Sequence, residues 1–122
     1  MSNQSSTPAV LVVDDEALIR LYAVDVLEDA GFRTFEASDA EEAMAMLAAH
    51  PEIGVLFTDI NMPGPYDGLE LARRVHAARG DVQLIITSGR VRPTAAELPT
   101  DGQFVAKPYR AAALIGLIRT VA

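Results

Sequence analysis

The chain has 122 residues, no Cys, and 17 Asp and Glu against 10 Lys and Arg, for a formal net charge of −7. Those figures exclude a disulfide framework, a thiolate metal site and a Cys nucleophile, and they argue against nucleic-acid binding, which needs clustered cations. Half the residues are apolar and 22% are charged, as in one globular domain. No apolar run reaches membrane-spanning length, and the start lacks the basic and apolar regions of a signal peptide, so a cytoplasmic protein is expected.

Residues 1–8 (MSNQSSTP) read as a disordered leader to a domain over 9–122. Ala9 to Val13 is a short apolar run rich in β-branched residues, the mark of a strand covered on both faces, and it ends at Asp14-Asp15-Glu16. A helix follows to Ala30, with Ile19, Ala23, Val26, Leu27 and Ala30 on one face and Gly31 as its stop. Phe32 to Ala37 reads as a less apolar strand. Ser38-x-x-Glu41 and Asp39-x-x-Glu42 are overlapping capping boxes; they open a second helix with Ala40, Ala43, Met44 and Leu47 inward, and Pro51 forbids its continuation.

Ile53 to Thr58 is a buried-type strand running into Asp59. After a Pro- and Gly-rich loop, Leu71, Ala72, Val75 and Ala78 mark a third helix closed by Gly80. Val82 to Thr87 and Gln103 to Ala106 are the fourth and fifth strands, and Leu114, Leu117, Ile118 and Val121 mark a last helix. Strands joined through helices run parallel, so the expected fold is α/β: an open, doubly wound, five-stranded parallel sheet. In the flavodoxin-like strand order 2-1-3-4-5, the first and third strands lie side by side at the switch point. No repeat and no linker to a second domain is visible.

Ligands of such sheets bind beyond the carboxyl ends of the strands. Those ends carry Asp14-Asp15, Asp59, Thr87-Ser88 and Lys107-Pro108. Two carboxylates at 4 Å repel by roughly 4 kcal/mol at an effective dielectric of 20, so three converging acids imply a compensating use. Hard oxygen ligands describe a Mg2+ site completed by water and phosphate oxygens. Thr87 offers a hydroxyl and Lys107 a mobile point charge suited to phosphate. Taken singly, an Asp-Asp pair is a helix cap and Lys-Pro a common dipeptide; the combination at four strand ends carries the weight.

With these residues in place, the chain resembles the CheY-like receiver domains of two-component response regulators, in the form of a stand-alone single-domain receiver. The matching blocks are Val12 to Glu16, Thr58-Asp59-Ile60-Asn61-Met62-Pro63-Gly64, Asp67 to Leu71, Ile85 to Gly89, and Lys107-Pro108-Tyr109. The resemblance implies that Asp59 is the phosphoacceptor in a phosphorelay, receiving a phosphoryl group from a histidine kinase or histidine phosphotransfer protein. It implies that Asp14, Asp15, Asp59 and the backbone carbonyl of Asn61 bind Mg2+, with Mn2+ or Ca2+ as substitutes. It implies that Lys107 pairs with the phosphoryl oxygens, that Thr87 and Phe104 form the switch, and that Lys107-Pro108 is a cis peptide, which X-Pro bonds reach at low cost. The output is contact with an unknown downstream protein, with no nucleic acid and no membrane, and the chain assists its own phosphorylation and dephosphorylation without being a turnover enzyme.

Two features depart from the family pattern. Gly64-Pro65-Tyr66-Asp67-Gly68 is one residue longer than the usual loop, which makes Tyr66, like Tyr109, a candidate partner contact. Between the fourth and fifth strands, Pro93 and Pro99 leave only Thr94 to Leu98, about one turn, so the helix expected there is short or irregular. An alternative reading is a non-phosphorylated pseudo-receiver acting as an interaction module, but such chains lose Asp59, an acidic-pair member or Lys107. A phosphohydrolase wants D-x-D after the first strand and room for a cap. A nucleotide carrier wants a Gly-rich phosphate loop.

Overall fold

Each strand forms where apolar residues can be covered on both faces. In the computed structural model, which describes residues 7–99 and 101–121, β1 (Ala9–Val13), β2 (Thr34–Ala37), β3 (Ile53–Asp59), β4 (Gln83–Ser88) and β5 (Gln103–Ala106) form one sheet. The strand order is β2-β1-β3-β4-β5 and every pair is parallel, which is the doubly wound arrangement the alternation requires. Four helices are present among the described residues: α1 (Ala17–Asp29), α2 (Ala40–Ala49), α3 (Gly68–Ala78) and α4 (Ala111–Val121). Of the expected leader at 1–8, residues 1–6 lie outside the described residues.

Alternation along the strands divides the core into two layers. Leu11, Val13, Leu56, Leu84 and Ile86 face α2 and α3, where they meet Ala43, Leu47, Leu71, Ala72 and Val75. Val10, Val12, Val55, Phe57 and Ile85 face the other way, toward Ala23, Val24 and Leu27 of α1 and Leu114 and Ile118 of α4. Both sides of β1, β3 and β4 are therefore dry, which accounts for their unbroken apolar runs.

Local chemistry sets the boundaries. Asp39 caps α2 by accepting from the Glu42 N–H at 2.8 Å, while Glu42 Oε1 reaches back to the N–H and hydroxyl of Ser38. Of the two overlapping capping boxes, Asp39-x-x-Glu42 is thus the one used; a cap of this kind contributes about 1 kcal/mol. Gly31, at φ +96°, turns the chain out of α1 into a conformation that L side chains rarely adopt.

Several assignments shift, among them the fourth strand, which runs Gln83–Ser88 and not from Val82 to Thr87. Phe32 is not in β2, which begins at Thr34; its N–H instead bonds the Leu27 carbonyl and closes α1. The inward face of α1 is Ala23, Val24 and Leu27, with Ile19, Val26 and Ala30 half-buried at its flanks. Ala78, expected inward, is exposed in the last turn of α3.

Between β4 and β5 the described residues form no helix, so the short or irregular helix expected there reduces to a turn. Thr94 and Glu97 make a reciprocal pair, with the Thr94 N–H on Glu97 Oε1 at 2.8 Å and the Glu97 N–H on the Thr94 carbonyl at 3.0 Å. This is a helix start that Pro99 does not let propagate, and one turn cannot offset the cost of nucleation. Leu98 and Phe104 pack on the α2–α3 layer, and Arg73 of α3 donates to the Glu97 carbonyl. Residues 94–98 are thus tethered to the α3 side of the sheet.

Candidate functional site

Register brings the strand ends together. Val13 pairs with Thr58, so Asp14 follows level with Asp59; Asp59 pairs with Thr87; Ser88 pairs with Ala106, so Lys107 comes next. Parallel strands deliver their carboxyl ends to one edge of the sheet, where residues at or just after the ends of β1, β3, β4 and β5 line a common cleft.

Asp14 is 3% exposed and Asp59 5%. Lys107 Nζ lies 2.8 Å from Asp14 Oδ2 and 3.4 Å from Asp59 Oδ2, bridging the two acids. Asp14 is further held by the Glu16 N–H on Oδ1, and its carbonyl accepts from the Arg20 guanidinium at 2.7 Å. Asp15 is exposed and lines the cleft. Carboxylate oxygens of Asp14, Asp15 and Asp59 all fall within 4.8 Å of one another. The cleft has a volume of about 380 Å³ and is also lined by Asn61, Arg90 and Lys107.

Burial pushes the Asp59 carboxyl above its ordinary range, and the neighbouring Asp14 charge adds to this against the pull of Lys107. For Lys107, burial acts downward, but the Asp14 hydrogen bond and the charges of both acids outweigh it, so the ammonium is held more firmly than usual. Tyr109 stays a neutral phenol: burial raises it, and the charges of Asp14, Tyr22 and Asp59 raise it further.

The donor set fits a small divalent cation: hard oxygens with nothing soft among them. The Thr87 hydroxyl fits an anion arriving beside that cation. It is buried and has no hydrogen-bond partner, a state that normally calls for an explanation, and an incoming acceptor oxygen would satisfy it.

The other residues singled out from sequence are placed as follows. The Lys107-Pro108 bond is cis. Phe104 is half-buried on β5, with the Arg92 guanidinium 5.6 Å from its ring centre. Tyr66 is half-buried against the core, and the Arg74 guanidinium lies 4.0 Å over its ring, so the longer loop is clamped onto α3. Tyr109 meets Phe57 edge-on at 5.5 Å and, with Leu18, Ile19, Tyr22 and Pro108, lines a mostly apolar groove of about 540 Å³. The groove adjoins the acidic cleft, since Gly89 and Lys107 line both.

Three contributions are not assigned at the sequence level, although Ser88 is placed there at the end of the fourth strand and Gly68 in a matching block. Arg20 supports Asp14 from six positions along the chain, with no local signal. Gly68 lies against the Asp59 backbone, and its only hint is the Asp-Gly pair that opens α3. Ser88 hydrogen-bonds Asn61, a partner that only the β3–β4 register supplies.

The sequence profile of the response regulator receiver domain matches residues 10–119. The chain is 37% identical over 114 residues to the C4-dicarboxylate transport transcriptional regulatory protein DctD of Rhizobium meliloti, covering 91% of this chain and 24% of that protein. It is 36% identical over 84 residues to the aerobic respiration control protein ArcA of Escherichia coli, covering 69% and 34%. The chain thus spans a quarter to a third of the length of these relatives. Among solved structures, a response regulator receiver protein from Pseudomonas putida superposes with a TM-score of 0.84 at 33% identity, covering 94% of this chain and 98% of that one. One from Sinorhizobium medicae gives 0.87 at 28%, covering 95% and 94%.

Proposed function

Because the chain belongs to the response regulator receiver domain family of two-component systems, we propose that Asp59 is its phosphoacceptor, charged from a phosphohistidine on a kinase or phosphotransfer protein. The observation that carries this reading is the bridging of Asp14 and Asp59 by Lys107, with Thr87, the β4 partner of Asp59, keeping a buried hydroxyl that has no partner. An Asp59 carboxylate oxygen attacks phosphorus, and the P–N bond to the donor imidazole breaks as the O–P bond forms. Attack of one anion on another is slow unless the charge is answered. Lys107 supplies one cation, already held beside Asp59. Asp14, Asp15, Asp59 and the Asn61 carbonyl are the groups that would hold Mg2+, which, when bound, supplies further charge neutralisation.

The acyl phosphate adds negative charge and acceptor oxygens beside Thr87. The hydroxyl turns to meet them, and Phe104, on the neighbouring strand, moves into the space released. The protein then shifts between two packings that a partner tells apart. This is signalling by contact in the cytoplasm; no helix among the described residues is long and apolar enough to cross a membrane.

The deciding experiment is intact mass after incubation with a small phosphodonor, with and without Mg2+. One phosphoryl mass is expected with Mg2+ and none in Asp59→Asn. An unlabelled wild-type protein would favour the pseudo-receiver reading.

The groove beside the cleft is where we place the donor. Leu18 is 84% exposed, Tyr22 and Leu21 lie near it on α1, and a protein that reaches Asp59 must cover this face, since Gly89 and Lys107 belong to both. Leu18→Asp is expected to slow transfer from a kinase about tenfold or more, the scale of one lost apolar anchor, while labelling by a small donor stays at the wild-type rate. Equal loss with both donors would remove Leu18 from the docking surface.

A further inference from the structure

Ser88 ends β4 and is 2% exposed, yet its hydroxyl is engaged on three sides. The backbone N–H groups of Arg90 and Val91 donate to it at 3.1 and 3.0 Å, and Asn61 Oδ1 lies 3.1 Å away. A hydroxyl has one proton and two lone pairs. The two backbone groups can only donate, so they use both lone pairs and leave the proton for Asn61. The carboxamide oxygen, and not the amino group, must therefore face Ser88. An Asn orientation that is ordinarily ambiguous is set here by two backbone N–H groups.

Asn61 belongs to the lining of the Asp59 cleft, together with Asp15, Arg90 and Lys107. Its side chain is exposed, and its backbone follows the phosphoacceptor by two residues, so nothing but Ser88 holds the carboxamide among the hydrogen bonds of the described residues. The Ser88 carbonyl also accepts from the Lys107 N–H at 3.0 Å. A single buried residue thus ties together the loop after β3, the loop after β4 and the backbone of Lys107. The Thr87 hydroxyl, one position earlier, has no partner, although the Thr87 carbonyl accepts from the Ile60 N–H at 2.9 Å.

We propose that Ser88 is a positioning residue that holds the Asn61 carboxamide across the mouth of the Asp59 cleft and thereby limits the access of water to the acyl phosphate. The proposal rests on the phosphoacceptor reading of Asp59. Hydrolysis of the acyl phosphate needs a water molecule in line with the phosphorus, on the open side of the cleft. A carboxamide fixed there occupies part of that approach; a freely rotating one does not. Ser88→Ala removes the hydroxyl but not the fold, because Arg90 and Val91 are exposed and water can take their N–H groups.

Two readouts test this. The first needs neither metal nor phosphate. Asn61 is one of two asparagines in the chain, and its side-chain NH2 resonances are assigned by their loss in Asn61→Ala. They are expected at shifted positions in the wild type and at free-amide positions in Ser88→Ala. The second is the lifetime of the phosphorylated protein after donor removal. Ser88→Ala is expected to shorten it about fivefold, the scale of one hydrogen bond, and to add nothing in an Asn61→Ala background, which keeps the backbone carbonyl. An unmoved amide signal, an unchanged lifetime, or effects of the two substitutions that simply multiply would overturn the proposal. A wild-type protein that takes up no phosphoryl group overturns the phosphoacceptor reading and the gating role with it, while the amide spectrum still reports whether Ser88 holds Asn61.

Discussion

Gly68→Ala is expected to lower stability by about 1–3 kcal/mol, the range for overpacking a tight contact, and to strip Asp59 of most of its phosphate uptake. Gly68 is the first residue of α3, and its N–H donates to the Ile60 carbonyl at 2.9 Å. A Cβ at this position would lie 1.9 Å from the Asp59 carbonyl oxygen, 2.8 Å from its carbon and 3.0 Å from Ile60 Cα. All three are backbone atoms, so no side chain can rotate away. β3 is held between β1 and β4 and resists movement, so the start of α3 must retreat. That takes with it the cap in which Asp67 accepts from the Glu70 N–H. With m of about 1–3 kcal/mol per molar urea, the midpoint falls by about 1 M while m is unchanged, and labelling of Asp59 by a small donor slows in step. A wild-type midpoint in Gly68→Ala would mean that the helix start yields freely and that its contact with Asp59 is incidental.

The second large effect is expected from Lys107→Met, and it has two parts. Phosphorylation by a small donor should slow about 10²–10³-fold, the usual loss when a preorganised charge at a reacting group is removed. Metal-free stability should also fall, because Asp14 and Asp59 are left facing each other unbridged. Breaking a fully buried ion pair costs about 3–5 kcal/mol. The Lys107 side chain is 13% exposed, so the lower end of that range applies. Adding Mg2+ should then raise the urea midpoint more in the variant than in the wild type, because a cation bound only by the folded state stabilises it and here also replaces the missing charge. The complementary change, Asp59→Asn, moves metal-free stability upward. Burial and Asp14 both disfavour the Asp59 carboxylate, and asparagine removes that charge while leaving the Lys107–Asp14 pair. An Mg2+ response no larger in Lys107→Met than in the wild type would show that lysine and metal do not answer the same charge.

These expectations differ in how far they could be read along the chain. Asp59 and Lys107 stand out in sequence because each follows an apolar run, and a parallel sheet presents such positions at one edge. Gly68 and Ser88 are legible only by place, at a helix start and a strand end, and not by role. Glycine at the start of a helix and serine after a threonine are ordinary residues, and their roles exist only because α3 lies against β3 and β4 lies beside β3. The Lys107–Asp14 bond joins residues 93 positions apart, and no periodicity predicts which of two adjacent acids a lysine will choose. Asp14 takes it and is buried, while Asp15 is left exposed at the cleft.

The sequence by itself determined the alternation of strands and helices, the buried character of β1 and β3, the acidic and basic residues at the strand ends, and that a helix between Pro93 and Pro99 could be short or irregular at most. Each of these follows from local period, propensity or the missing N–H of proline, which act over a few residues. Only the tertiary structure decided that Val24 joins Ala23 and Leu27 as the buried residues of α1, that Tyr66 lies beneath Arg74, that the Thr87 hydroxyl has no partner, and that Ser88 holds Asn61. Those outcomes depend on the register between strands that are far apart in the chain and joined by crossovers. A parallel sheet specifies that register by packing on both faces at once, and no single segment carries it.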